Sequence, residues 1–163
     1  MRFKLKPKLL IFDLDDTLYL CSGVVKADYS NLEEIKPFLG VKEFLTRNTF
    51  RKVLVTKGNP EIQQRKIAVL EIKDFFEEIF YPLTEENKIA CFWEIIQNYP
   101  DYDCWVIGNK ITAEIRSGKM LGLKTVLINQ GKYKNLKAKD GFEISDHEIE
   151  EFDQLEGVLN CKQ

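Results

Sequence analysis

The stretch Lys8-Leu9-Leu10-Ile11-Phe12-Asp13-Leu14-Asp15-Asp16-Thr17-Leu18 decides the fold. It opens as an unbroken apolar run, the pattern of a strand buried on both faces, and passes without a break into three carboxylates and a threonine. Buried strands are normally closed by turn residues, so acids at this end point to chemistry. In an extended chain residues two apart face the same side, so Asp13 and Asp15 project together while Leu14 turns back toward the core. Two carboxylates held side by side resist being ionised together. Either one keeps a proton or a cation sits between them, and both arrangements suit an enzyme that needs a nucleophile beside a general acid.

Outward from this strand, strand-like and helix-like segments alternate. Residues 52–56 are a second β-branched run. Asn59, Pro60 and Glu61 then open a helix, with Asn as cap, Pro at the first helical position and an acid at the positive dipole end, and this helix is expected to reach Leu70. Residues 78–81 are a weaker third strand. Residues 85–99 form an amphipathic helix with Ile89, Phe92, Trp93 and Ile96 on its apolar face. Residues 104–108 and 124–129 are further strands flanking a helix over 112–121 with Thr112 as its cap. Residues 131–140 are polar and lysine-rich, and residues 146–159 read as a last amphipathic helix capped by Asp146. Continuous apolar strands alternating with helices predict an α/β fold, a three-layer open parallel sheet with helices on both faces.

The chain has 163 residues, 44% of them hydrophobic, which suits one domain with a substantial core. Its 24 basic and 26 acidic side chains give a net charge of −2, which offers no general attraction to nucleic acid or to an acidic membrane. Small-molecule or protein partners are the better expectation. Cys21, Cys91, Cys104 and Cys161 are scattered without paired spacing, the pattern of reduced cytoplasmic thiols. The charged opening is followed by too short an apolar run for a signal peptide or a membrane span. Lys132, Tyr133, Lys134, Lys137 and Lys139 interleave base with aromatic, but in an acidic chain with no second basic patch a solvated loop is the expected reading. His147, the one histidine, falls in the predicted tail helix, which leaves histidine-based mechanisms without support.

Ligands of open α/β sheets bind at the carboxyl ends of the strands, where the strand order reverses. The polar residues there are Asp13 and Asp15, then Thr56, then Asn109. Lys88 joins them from the first turn of the third-strand helix, where a cation faces the unfavourable end of the dipole. Each has an ordinary alternative: Asp15 and Asp16 as a turn with Thr17, Thr56 as a β-branched strand residue, Lys88 as a solvated helix residue, Asn109 as a turn, and Glu114 as an acid that stabilises a helix start.

Taken in order, Asp13-Leu14-Asp15-Asp16-Thr17, the strand-ending Thr56, Lys88, and Gly108-Asn109 followed by Glu114 resemble the four motifs of the haloacid dehalogenase (HAD) superfamily. Neutral landmarks agree: Gly40-Val41-Lys42-Glu43-Phe44-Leu45, Asp74-Phe75-Phe76, and Ile115-Arg116-Ser117-Gly118-Lys119. The resemblance implies that Asp13 is a nucleophile passing through an aspartyl phosphate, and that Asp15 is the general acid and base, a residue that carbon–halogen-cleaving relatives typically lack. It implies that Thr56, Lys57, Gly58 and Lys88 contact the phosphoryl group, helped by amides of the helix starting at Asn59. It also implies a Mg²⁺ held by Asp13, the Asp15 carbonyl and the fourth motif, Asn109 and Glu114.

The fourth motif departs from the family, which usually has Asp where this chain has Asn109. One carboxylate fewer at a hard-cation site implies weaker Mg²⁺ dependence, with Glu114 reaching inward to compensate. The stretch between Thr17 and Thr56 must also supply a helix ending near Asn48, so residues 18–50 leave room for only a small flap in one domain spanning 1–163. In the family an open site goes with macromolecular substrates, with capping by a neighbouring subunit and hence a homo-oligomer, or with loose specificity. Three readings follow. One is a phosphatase acting on a phosphorylated small molecule or phosphoprotein. Another is a catalytically impaired HAD-fold protein that binds such a partner. The third, a receiver domain, is disfavoured because such domains place their phosphoacceptor Asp after a middle strand, where this chain has Thr56 and Lys57.

Overall fold

The computed structural model describes residues 4–47 and 49–161. The opening stretch forms β1 (Lys8–Phe12), at the centre of a six-stranded sheet with β2 (Arg51–Val55), β3 (Glu78–Phe80), β4 (Asp103–Gly108), β5 (Lys124–Ile128) and β6 (His147–Ile149). The order is β3-β2-β1-β4-β5-β6 and every pair is parallel. The chain therefore leaves β1 in one direction for β2 and β3, and later crosses back to β4. The crevice between β1 and β4 is the place where an open sheet accepts a ligand.

Alternate residues of β1 serve opposite cores. Leu10 and Phe12 pack into one apolar cluster with Leu54, Trp105 and Ile107, while Leu9 and Ile11 join Val53, Val55, Phe92, Ile95 and Val106 in another. That is why the strand is apolar throughout. Phe12 meets Phe44 and Phe76 edge-on and stacks on Phe152, at centroid distances of 6.2, 6.3 and 6.2 Å. Truncating such a residue typically costs about 3–5 kcal/mol.

The helices are α1 (Val41–Thr46), α2 (Pro60–Leu70), α3 (Glu85–Asn98), α4 (Arg116–Met120) and α5 (Leu155–Asn160). The expected helix end at Asn48 falls on a residue outside those described, and the opening residues 1–3 do too. In α2 the Asn59 side chain accepts from the amides of Glu61 and Ile62, with Pro60 at the first helical position. Between β1 and α1 the chain makes only a short 3₁₀ turn, Leu32–Glu34, and isolated bridges from Tyr19 to Asp15 and Pro37. Among the described residues no helix is long and apolar enough to cross a membrane.

Three local expectations are corrected. Trp93 is 57% exposed; the inward face of α3 is Lys88, Phe92 and Ile95, so the apolar stripe is rotated to admit a buried lysine. Thr112 does not cap a helix. The chain enters through Lys110 into a π-helical turn, Ile111–Ile115, before α4 begins. Asp146 does not open a tail helix either. Its carboxylate accepts from the amide and hydroxyl of Thr125 at 2.8 and 3.0 Å, which aligns His147–Ile149 beside β5 as the sixth strand. His147 stacks on Trp105 at 5.7 Å, and α5 begins only at Leu155.

Candidate active site

Strand register brings the site together. Phe12 lies level with Leu54 and Ile107, so Asp13, one residue further on, and Thr56 and Asn109, two residues further on, emerge together from three neighbouring strands. The Asp13 amide donates to the Ile107 carbonyl at 3.0 Å, which carries the pairing one residue past the strand. Asp13, Asp15, Lys57, Lys88, Asn109 and Glu114 line one cleft of about 450 Å³.

Asp13 is buried. One of its oxygens accepts from Lys88 Nζ at 2.9 Å and the other from the Thr17 hydroxyl at 3.1 Å. Lys88, 2% exposed, also donates to Glu114 Oε1, and the second Glu114 oxygen accepts from the Lys110 amide at 3.1 Å. Two buried carboxylates thus share one ammonium. Burial opposes the charge on Lys88, yet the two carboxylates outweigh it and hold the ammonium protonated well above the usual lysine range. Burial pushes the Asp13 carboxyl up to about 7; Lys88 pulls it back and Glu114 adds to the rise. The π-helical turn carries Glu114 into this position, and a residue with a side chain at 108 would collide with it: a Cβ on Gly108 would stand 2.5 Å from Glu114 Cγ. Glu114 is therefore a buried partner of Lys88, not an acid at a solvated helix start.

Asp15 is held from another side. Lys66 Nζ donates to both its oxygens at 2.9 and 3.1 Å, Gln63 Nε2 donates at 3.2 Å, and the Tyr19 hydroxyl donates as well. Gln63 also donates to the hydroxyl of Thr56, which is almost fully buried. Sequence reasoning missed Tyr19, Gln63 and Lys66. The available signal was two polar residues three apart on α2, on the face that also buries Ile67 and Leu70.

The remaining expected residues are placed less directly. Lys57 lies at the cleft rim, paired with Glu85 at 2.7 Å. The Gly58 amide is committed to the Pro82 carbonyl at 3.0 Å. The first free amides of α2, expected to meet an anion, are taken by Asn59. Asp16 adopts a left-handed conformation, and its carboxylate accepts from the amides of Cys21 and Ser22 at 2.8 and 2.9 Å, which closes the turn after β1.

The lysine-rich segment is not wholly a solvated loop, because Lys132 and Tyr133 line the cleft. Gly131 makes this approach feasible. It has φ +70°, and a Cβ there would stand 2.3 Å from Asp16 Cγ. Gly131→Ala is expected to cost about 2–3 kcal/mol, lowering the melting temperature by about 4–10 °C. A calorimetric melt within about 1 °C of wild type would contradict this packing.

Cys21 lies at the cleft edge. Burial, aided by the Asp15 carboxylate, pushes its thiol up to about 11. The thiolate is the reactive form, so iodoacetamide is expected to leave Cys21 nearly untouched at pH 8 while labelling exposed Cys161. The Cys21 rate should rise about tenfold per pH unit as pH climbs toward 11. Fast labelling of Cys21 at neutral pH, mapped by peptide mass, would refute the assignment.

Asn109 stands where its side chain meets both the nucleophile and the backbone of the acid. With its amide nitrogen turned inward it donates to the Asp15 carbonyl at 3.2 Å and to Asp13 Oδ2 at 3.3 Å. With its oxygen turned inward, that oxygen stands from the Asp15 carbonyl and from Asp13 Oδ2 at a spacing close to the roughly 3 Å between neighbouring ligands of an octahedral Mg²⁺. The donor set therefore fits a hard cation. It is sparse in charge, because among the described residues no three His, Cys, Asp or Glu side chains gather as a metal site.

The six-stranded parallel sheet, with an acid pair after its central strand, Thr56 and Asn109 just past the neighbouring strands and a buried Lys88 from α3, shares its fold with solved haloacid dehalogenase-like hydrolases. A haloacid dehalogenase-like family hydrolase from Streptococcus pneumoniae superposes with a TM-score of 0.72 at 13% identity, covering 96% of this chain and 99% of that one. The magnesium-bound protein YfnB of Bacillus subtilis gives 0.69 at 16% identity over 97% and 100%, and 2-haloacid dehalogenase from Pseudomonas syringae gives 0.66 at 17% over 93% and 97%. No family model matches the chain. Among curated proteins, glyceraldehyde 3-phosphate phosphatase of Pyrococcus furiosus is 26% identical over 154 residues, 86% of this chain and 62% of the relative. The protein of the same name from Pyrococcus abyssi is 26% identical over 127 residues, 70% of this chain and 51% of the relative. The chain thus spans only about half to three fifths of the length of these relatives.

Proposed function

We propose that the protein is a phosphatase that hydrolyses phosphate monoesters through an aspartyl phosphate on Asp13. The observation that carries this reading is the buried Asp13–Lys88–Glu114 triad beside an independently held Asp15. The triad keeps one carboxylate oriented as a nucleophile and places a fixed positive charge next to it, where charge on a transferring phosphoryl group needs stabilisation. The second acid supports phosphoryl transfer over dehalogenation, and the two phosphatases similar to this chain point the same way.

In this mechanism an Asp13 oxygen attacks phosphorus, the bond from phosphorus to the ester oxygen breaks, and a proton passes from the Asp15 carboxyl to the departing alkoxide. Asp15 then takes a proton from water, whose oxygen attacks phosphorus. The bond to Asp13 breaks, releasing inorganic phosphate and restoring the carboxylate. Thr56 donates to a phosphoryl oxygen, and Gln63 and Lys66 keep Asp15 facing the reacting atoms. Glu114 fixes the Lys88 ammonium. A Mg²⁺ would be held by Asp13, the Asp15 carbonyl and the Asn109 side-chain oxygen, with Glu114, expected among the ligands, instead committing both oxygens to Lys88 and the Lys110 amide; when bound the ion neutralises charge on the phosphoryl group. We place the whole chain in one unit, with residues 18–50 as a small flap and linking helix.

The test is turnover of a broad phosphomonoester panel, with Mg²⁺ and with EDTA. Release of phosphate from at least one class of phosphometabolite is expected. No release from any member at high Mg²⁺ would instead favour a binding protein, the reading that the neutral Asn109 motivates.

A further inference from the structure

The cleft is electrically divided. Its floor carries the carboxylates of Asp13, Asp15, Asp16 and Glu114 against the ammonium of Lys88, with Lys66 pairing Asp15 from behind the lining. Among the described residues its rim carries Lys57, Lys110 and Lys132 against one carboxylate, that of Glu85. Lys57 and Lys110 share one Glu85 oxygen, at 2.7 and 3.3 Å, so one acid serves two bases. The scissile phosphate would meet Lys88 at the floor, and that leaves the rim's surplus positive charge facing the opposite end of whatever is bound.

Two of these lysines are held in place. Lys110 Nζ lies 4.7 Å from the centroid of the Tyr133 ring and Lys132 Nζ 4.9 Å from the same centroid. Two like charges over one ring repel each other, and a bound anion relieves that repulsion. The platform is anchored: the Lys132 amide donates to Ser22 Oγ at 3.0 Å, and Gly131 sits against Asp16. Lys110 follows Asn109 directly, which fixes its distance from the reacting centre.

We infer that the preferred substrate carries a second anionic group, a carboxylate or a further phosphate, at the end remote from the scissile phosphate, and that Lys110, Lys132 and Tyr133 form its subsite. This rests on the phosphatase reading and narrows it. The substrate named for the two relatives, glyceraldehyde 3-phosphate, ends in a neutral aldehyde and lacks such a group.

That contrast supplies the experiment. Glyceraldehyde 3-phosphate and 3-phosphoglycerate share a three-carbon frame and differ at the remote end, aldehyde against carboxylate. The expected kcat/KM ratio favours the carboxylate by about tenfold at low salt and shrinks as ionic strength rises. In Lys110→Gln/Lys132→Gln the ratio should fall close to one. Lys134→Gln, at a residue paired with Glu150 outside the cleft, should leave it unchanged. A ratio near one in the wild type, or a preference that survives the double substitution, would overturn the subsite. If neither compound is turned over, the phosphatase reading is decided separately by the broad phosphomonoester panel. Calorimetric affinities of the same two compounds for the wild type and the double variant then decide the subsite by the same ratio.

Discussion

Asp13→Asn is expected to lower phosphomonoester turnover by at least about 10⁴-fold, the scale seen when a covalent nucleophile is removed, while leaving the fold in place. The two halves of this expectation have one structural cause. The amide keeps the shape of the carboxyl group and can still accept from Lys88 or Thr17, which stand 2.9 and 3.1 Å away. What disappears is a negative charge in a site where two buried carboxylates share one ammonium. Removing a carboxylate whose titration is already displaced upward by burial should leave thermal stability unchanged or raised. The combination separates a catalytic loss from a folding defect. Turnover within tenfold of wild type would remove Asp13 from the mechanism, and loss of cooperative unfolding would show that the triad holds the fold together.

Asn109→Asp is expected to tighten Mg²⁺ binding by about 10–100-fold, measured by calorimetry without substrate. In the wild type the Asn109 amide can donate to the Asp15 carbonyl and Asp13 Oδ2, the same two oxygens a cation would need. Binding therefore requires the side chain to turn over and give up those two hydrogen bonds. Aspartate has no such donation to lose and adds a charge. Without Mg²⁺ the variant should melt lower than wild type, because a third carboxylate then crowds Asp13 and Glu114 with only Lys88 to answer them. With Mg²⁺ the order should reverse. An unchanged dissociation constant would mean that Asn109 does not face the cation.

Both substitutions fall on residues that were legible in the sequence, and the reason is local. Short continuous apolar runs bounded by polar residues and alternating with helices read as strands buried on both faces, which brings the first polar residues after β1, β2 and β4 together at one edge of the sheet. The start of α2 was equally plain, because Asn59 and Pro60 act through bonds within one turn. What stayed hidden depends on long-range partners. Asp146 has the composition of a helix cap, yet Thr125 of a distant strand claims its carboxylate. Trp93 looks like core until a buried lysine takes the inward face of α3. Lys66 and Gln63 read as ordinary helix residues, since nothing near them in sequence requires Asp15. Lys132 and Tyr133 look like solvated loop until Gly131, pressed against Asp16, brings them to the cleft. Composition describes a segment by itself, and these residues take their roles from what they touch.

The proposed aspartyl phosphate on Asp13 can be trapped directly. Wild-type protein mixed with a phosphomonoester that it turns over, quenched in acid within milliseconds and mapped by peptide mass spectrometry, should carry phosphate on Asp13 and on no other residue, in a form released by hydroxylamine. Turnover with no phosphate on Asp13, or with phosphate on a different side chain, would contradict it.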